Sequence, residues 1–152
     1  MTKKNPNALA PDHWIWSKFD ELNAQHFRGQ LEPPQEILRL QSTTWAALTV
    51  NTMANGTPCR LIWLDGEALD TDPSVAADSL LHEMVHYELA AQANGDGDQT
   101  HGTRFVVRAD EIGRSLGLPS CCLPGFTAEQ HLQIARIWPK VQRQAVQITS
   151  AK

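Results

Sequence analysis

Residues 80–86 read LLHEMVH, and this short run does most to specify the structure that we expect. In an α-helix His82 and His86 lie one turn apart, so both imidazoles project from the same face. Both rings can then reach one zinc ion, with Glu83 beside them next to a water on the metal. In hydrolases with this HExxH pattern the metal acidifies the water and the carboxylate takes its proton. The pattern therefore predicts His82 and His86 as metal ligands and Glu83 as the catalytic base.

The residues around this motif predict a helix from about 73 to 93. Asp72 is a favoured N-cap, Pro73 is favoured at the first helical position, and Asn94-Gly95 is typical of a helix end. Glu83 and the two histidines occupy one sector of this helix, and the complementary arc is apolar. That arc is formed by Leu80, Leu81, Met84, Val85 and Leu89. We therefore expect a helix that is buried on most sides, with its polar sector facing a cleft.

A third metal ligand is required, because a zinc site with an open position for water usually has three protein ligands. Metzincins continue with glycine and histidine where this chain has Leu89 and Gln92, which excludes that class. His101 and Glu111 are the two candidates further along the chain. We favour His101, because Gly102 permits close backbone approach beside it, whereas Glu111 has the sequence context of a solvated helix charge.

Two other side chains are candidates for contact with a substrate. Tyr87 lies one turn after Glu83, so its hydroxyl is a candidate for stabilising an oxyanion. Packing of the Tyr87 ring beside the cleft is the interpretation that we favour. Arg104 is a candidate contact for an anionic group, together with Arg108 and Arg114 on the same predicted helix. Scattered arginines are more often a solvated face.

The chain resembles the SprT family of metallopeptidases, whose best-known eukaryotic members are the Spartan-type proteases. The resemblance is carried by LNAQHFRGQL at 22–31, CRLIWL at 59–64, LLHEMVH at 80–86, HGTRF at 101–105, IG at 112–113 and LG at 116–117. It covers most of residues 12–118. The combination of HExxH with a later HGxxF is far more specific than either motif alone.

What the resemblance implies is a zincin-like minimal metallopeptidase domain. Its single Zn²⁺ would be held by His82, His86 and His101, with Glu83 as catalytic base. Better-studied relatives cleave proteins, including proteins crosslinked to DNA, and several bind DNA. Many relatives add a C-terminal zinc ribbon built from paired Cys-x-x-Cys elements. Here only the adjacent residues Cys121-Cys122 are present in that region, so no ribbon is expected.

The composition is that of a globular domain in a reducing compartment. The chain has 152 residues, of which 41% are hydrophobic and 20% charged, enough to bury a core without disulfides. Three cysteines without framework spacing, and an N-terminus without an apolar stretch, predict a cytoplasmic protein. No apolar run approaches membrane-spanning length, so no membrane partner is expected.

We expect residues 1–11 to be disordered, 12–144 to form one catalytic domain and 145–152 to be a tail.

The net charge of −4 is unevenly distributed along the chain. Residues 61–103 contain nine acidic residues and no Lys or Arg, whereas residues 104–152 contain seven basic and three acidic residues. The acidic middle surrounds the predicted metal site, where it would attract cations and repel phosphates. Helix caps and solvated loops are the explanation that we favour for these acids. The partner that the HExxH motif and the resemblance imply is a protein or peptide substrate. DNA or a DNA-bound protein is a further candidate from the resemblance, although this charge balance does not predict strong DNA binding. The sequence predicts no particular oligomeric state.

Hydrophobic periodicity and turn residues predict an α+β fold with a small, mainly antiparallel sheet. A first helix is predicted over residues 12–27 and a short strand over 36–40. Strands at 45–53 and 59–64 flank Asn55-Gly56, which is a strong hairpin signal. The HExxH helix and the HGxxF helix, which extends from His101 to about 116, follow.

Two other functions are compatible with these residues. One is a binding module that keeps the metal as a structural brace and recruits DNA or a partner protein without catalysis. The other is a narrow-specificity zinc hydrolase that cleaves a regulator. Cleavage of an unfolded protein would distinguish a peptidase from the binding module. The range of cleavage products would distinguish a broad peptidase from the narrow-specificity hydrolase.

Overall fold

The structure is a computed structural model of the chain, and it describes residues 5–41, 47–92, 102–118, 123–124 and 143. His101, the Cys121-Cys122 pair and the tail 145–152 lie outside the described residues. The chain divides into two compact units, Met1–Gly97 and Asp98–Lys152, and each is described by itself. The boundary falls within the segment 12–144, which we predicted to be a single domain.

The α+β class is confirmed in the described part of the chain. The first unit contains α1 (Trp14–His26), β1 (Glu36–Leu40), β2 (Ala47–Ala54), β3 (Thr57–Asp65), α2 (Gly66–Thr71) and α3 (Pro73–Gln92), and the second contains α4 (Thr103–Ser115). Helix α2 was not predicted from the sequence. It has only six residues and begins directly after β3, where the Asp65 carboxylate accepts a hydrogen bond from the Ala68 N–H at 3.1 Å.

The three strands form a mixed sheet in the order β1-β3-β2. Strands β2 and β3 are antiparallel and joined by the predicted hairpin, in which Asn55 and Gly56 have φ values of 52° and 78°. These left-handed conformations are those of a type I′ turn. Strand β1 pairs with β3 in parallel, from Glu36 opposite Leu61 to Leu40 opposite Asp65. We expected a mainly antiparallel sheet, and the observed sheet is mixed. The pairing of β1 with β3 is parallel because the chain passes through β2 before it reaches β3, the partner of β1.

Part of the N-terminal segment is held against the sheet. Ala8 forms an antiparallel bridge with Leu38. The Leu9 N–H donates to the Ile37 carbonyl at 3.1 Å, and the Arg39 N–H donates to the Asn7 carbonyl at 3.0 Å. Residues 7–9 thus pair with β1, although they belong to the segment 1–11 that we expected to be disordered.

Helix α3 lies at the centre of the first unit. Its predicted start is confirmed: Asp72 Oδ1 accepts a hydrogen bond from the Val75 N–H at 3.3 Å, and Pro73 is the first helical residue. The helix contacts β2, β3, α1 and α2. On its apolar side Leu80, Met84 and Val85 are fully buried. Burying such a side chain contributes about 1.5–3 kcal/mol to the free energy of unfolding. The apolar arc therefore faces the core, and this orientation determines where the face that carries the histidines lies.

Helix α4 begins after Gly102 and ends at Ser115, close to the predicted end near residue 116. Its buried side is formed by Phe105, Val106, Ala109, Asp110, Ile112 and Gly113. Within the part of the chain that the structure describes, none of the helices combines the length and the apolar composition that crossing a bilayer requires.

Candidate metal centre

The HExxH motif brings three potential ligand groups together on α3. One ligand atom from each of His82, Glu83 and His86 lies within 4.8 Å of the others. The two imidazole centroids are 5.1 Å apart, with their planes at 58° to each other. This is the arrangement expected from residues one helical turn apart. The described residues therefore include a His-Glu-His group that can hold a metal ion.

The two histidines differ in exposure. His86 is 6% exposed and Glu83 is equally buried, whereas His82 is only partly buried. The group is therefore closed on the side of His86 and more open at His82. Such a difference suits a metal that must be reached by an external molecule, because one side of the site is shielded by protein and the other is accessible.

The Glu83 carboxylate is held by a residue from the sheet. Thr49, in the middle of β2, donates a hydrogen bond from Oγ1 to Glu83 Oε2. The same hydroxyl lies 3.3 Å from the Glu83 main-chain carbonyl oxygen. Thr49 is 2% exposed, so this contact is shielded from water. Nothing in the local sequence of Thr49 predicted the contact, because threonine is common in strands and Glu83 is 34 residues away.

Burial changes the acidity of this carboxyl group. Removal from water raises the pKa of Glu83 to about 7, and the hydrogen bond from Thr49 partly opposes this increase. Desolvation disfavours the charged form, whereas a hydrogen bond to the carboxylate favours it. In the metal-free protein Glu83 is therefore a group that can gain or lose a proton near neutral pH. A base with such a pKa is suited to proton transfer at physiological pH.

Replacing Glu83 with glutamine is expected to stabilise the metal-free protein at alkaline pH. The folded protein binds the Glu83 proton more tightly than the unfolded chain does, so wild-type stability falls as pH rises from about 4.5 to about 7. The neutral amide avoids this loss, which amounts to about 3 kcal/mol at pH 8 for a pKa difference of this size. Urea unfolding in a chelator at pH 8 measures the difference. At pH 4 the two proteins should be nearly equally stable, and a pH-independent difference would contradict the expectation.

Tyr87 is positioned by packing and hydrogen bonding. Its ring is 1% exposed and meets Phe19 edge-on, with centroids 6.3 Å apart. Its hydroxyl donates to the Glu32 carbonyl at 2.6 Å, and burial raises the pKa of this phenol. These contacts support the packing role that we favoured. Stabilisation of an oxyanion by Tyr87 stays a prediction, and it would require the bond to Glu32 to break.

The candidates on α4 belong to the second unit. Glu111 is 61% exposed and accepts a hydrogen bond from Arg108 at 3.0 Å, and Asp110 pairs with Arg114 at 2.9 Å. Two of the three arginines that were candidate contacts for an anionic group, Arg108 and Arg114, thus pair with carboxylates of their own helix. This pairing reduces the positive charge offered to a ligand. Arg104 is exposed, and its contact with a substrate stays a prediction. The role of His101 as third ligand also stays a prediction, since His101 lies outside the described residues.

Two residues of β2 that the sequence did not single out complete the surroundings of the motif. Thr49 contacts Glu83 as described, and Asn51 Nδ2 donates to the Tyr87 carbonyl at 2.9 Å. They are two positions apart on the strand and therefore lie on the same face of the sheet. The side chains of these two residues thus attach β2 to α3 next to the candidate metal group.

The residues present fit a transition metal. Imidazole nitrogen is a good ligand for zinc, copper, iron and nickel, whereas magnesium and calcium prefer oxygen ligands. Two imidazoles on consecutive turns of a buried helix, with one face partly open, match the former group.

A scan of the chain against protein-family models gives no match, and a search of curated proteins gives none either.

Proposed function

We propose that the chain is a zinc-dependent metallopeptidase of the SprT-like type, which hydrolyses peptide bonds in protein substrates, including DNA-associated proteins. One observation carries the proposal: His82 and His86 stack on one face of a buried helix, with the Glu83 carboxylate within 4.8 Å of both. His82, His86 and His101 would hold the metal. The resemblance to SprT-like peptidases, together with the later HGxxF motif, supports the same assignment.

Each residue of the motif has a defined task in this proposal. When bound, Zn²⁺ would lower the pKa of water to about 7 and polarise the peptide carbonyl. Glu83 accepts the proton of the attacking water and delivers it to the leaving amine. Glu83 is buried beside the two histidines, where its carboxylate can accept a proton from the water and release it to the leaving group. His82 and His86 would hold the metal beside this carboxylate.

The stretch of sequence that carries the motif is acidic, which does not favour a nucleic acid as the direct substrate. The stretch 61–103, which contains the motif, has nine acidic residues and no Lys or Arg, and this charge balance gives no support to strong binding of phosphate groups there. The two described ion pairs within α4 also leave less positive charge for a nucleic acid. We therefore assign DNA, if it contributes, to delivery of a bound protein substrate and not to the reaction itself.

Turnover on an unfolded protein is the test of this proposal. The zinc-loaded chain is expected to cleave a denatured protein, to stop when a chelator removes the metal, and to resume when zinc is added back. Peptide products are measured by mass spectrometry, with and without DNA. Many products indicate a broad peptidase, and a single product from one protein in a lysate indicates narrow specificity.

The opposite result identifies the structural alternative. If the zinc-loaded chain cleaves none of these substrates yet binds DNA with a strong salt dependence, the metal braces a binding module. In that case the proposal is wrong.

A further inference from the structure

Strand β2 is attached to α3 at two points, and the two attachments differ in what they touch. Asn51 donates to the Tyr87 carbonyl, which is a main-chain atom of the helix. The Thr49 hydroxyl lies 3.3 Å from the Glu83 main-chain carbonyl and also donates to a carboxylate oxygen of Glu83, which is the proposed base. Both contacts join strand to helix, but only the contact of Thr49 acts on a group that the proposed reaction uses.

The hydroxyl of Thr49 is held rigidly in place. Thr49 lies opposite Ile62 within the antiparallel β2–β3 ladder, and a β-branched side chain has restricted rotation about its first torsion. Thr49 is 2% exposed and Glu83 is 6% exposed, so water does not readily replace either partner. A glutamate side chain has three rotatable torsions, and this fixed donor selects one orientation of its carboxylate.

We propose that Thr49 is a positioning residue for Glu83. By holding Oε2, Thr49 leaves Oε1 as the oxygen that accepts the proton from the attacking water. This inference rests on the proposed peptidase function. It assigns to β2 a role in the reaction, beyond its place in the sheet.

A purely structural role for Thr49 is the competing explanation, and valine separates the two. Thr49→Val keeps the branched shape and the preference for strands while it removes the hydroxyl. Misplacement of a reacting group by about 1 Å can lower the rate about hundredfold, so we take about tenfold to hundredfold as the range for loss of this donor. We expect Thr49→Val to lower kcat by this factor, with KM changed by less than about twofold and zinc content unchanged.

Two further variants act as controls in the same assay. Thr49→Ser restores a hydroxyl at the same position and is expected to recover kcat to within about threefold of wild type. Asn51→Ala removes the other strand-to-helix hydrogen bond and is expected to lower thermal stability while kcat is kept. Wild-type kcat in Thr49→Val would overturn the inference. An equal loss of kcat in Thr49→Ser or in Asn51→Ala would also overturn it, because side-chain shape or strand attachment would then be responsible.

A measurement without turnover keeps this inference separate from the proposed function. Unfolding of the metal-free protein is followed in urea at pH 8 for wild type, Thr49→Val, Glu83→Met and the double variant. Thr49→Val should lower the folding equilibrium constant about tenfold to hundredfold when Glu83 is present, and less than about threefold in the Glu83→Met background. If the effects of Thr49→Val and Glu83→Met on stability are simply additive in the double variant, Thr49 and Glu83 do not stabilise each other, and the inference is wrong. An inactive wild type with clear coupling would refute the peptidase and the positioning role, and leave only a structural contact.

Discussion

Glu83→Gln is expected to abolish peptide cleavage while zinc remains bound. Glutamine has nearly the same shape as glutamate, but its amide cannot take a proton from water. General base catalysis typically contributes about 10²–10⁴ in rate. We therefore expect kcat/KM to fall by about this factor, which corresponds to an activation free energy higher by about 3–5 kcal/mol. Because Glu83 is assigned as the base and not as a ligand, zinc content should stay at one ion per chain.

Steady-state kinetics and metal analysis of the same preparation test this expectation. Glu88→Gln is the matched control, since Glu88 is a partly buried carboxylate on the same helix, five positions further along. It should keep both zinc and activity. Loss of zinc in Glu83→Gln would show that Glu83 is a ligand, and full activity in that variant would exclude it as the base.

His86→Ala is expected to remove zinc almost completely. His86 is 6% exposed, so its imidazole is fixed by packing and a water molecule is a poor replacement for it. Loss of an outer-shell partner already lowers metal affinity about 10- to 100-fold, and loss of a direct ligand should lower it further. Activity should then disappear with the metal.

The same metal analysis identifies the third ligand. His101→Ala should lower zinc occupancy as strongly as His86→Ala does, whereas Glu111→Gln should retain zinc. The ion pair between Glu111 and Arg108 at 3.0 Å supports this expectation, because the carboxylate already has a cationic partner. If Glu111→Gln loses the metal and His101→Ala retains it, the proposed ligand set is wrong.

Local features of the sequence predicted local features of the fold. Asp72-Pro73 predicted the start of α3, and Asn55-Gly56 predicted the hairpin turn, because both signals depend on backbone preferences of the residues themselves. The grouping of His82, Glu83 and His86 followed from helical spacing alone. These predictions needed no knowledge of distant parts of the chain.

Features that depend on distant residues were not predictable in this way. The parallel pairing of β1 with β3 joins strands separated by the whole of β2, and no turn signal marks it. Helix α2 was missed because its N-cap, Asp65, is also the last residue of a strand. The contact between Thr49 and Glu83 depends on how β2 packs against α3, and a threonine in a strand carries no signal for such a role.

Tyr87 has a consequence for how the metal enters and leaves. Its hydroxyl bonds to Glu32, its carbonyl accepts from Asn51, and its ring packs on Phe19. This one residue therefore ties the histidine-bearing helix to three other segments. The backbone that carries His82 and His86 is therefore ordered when the chain folds. We therefore expect α3 to remain folded when a chelator is present, and circular dichroism with and without the chelator measures this.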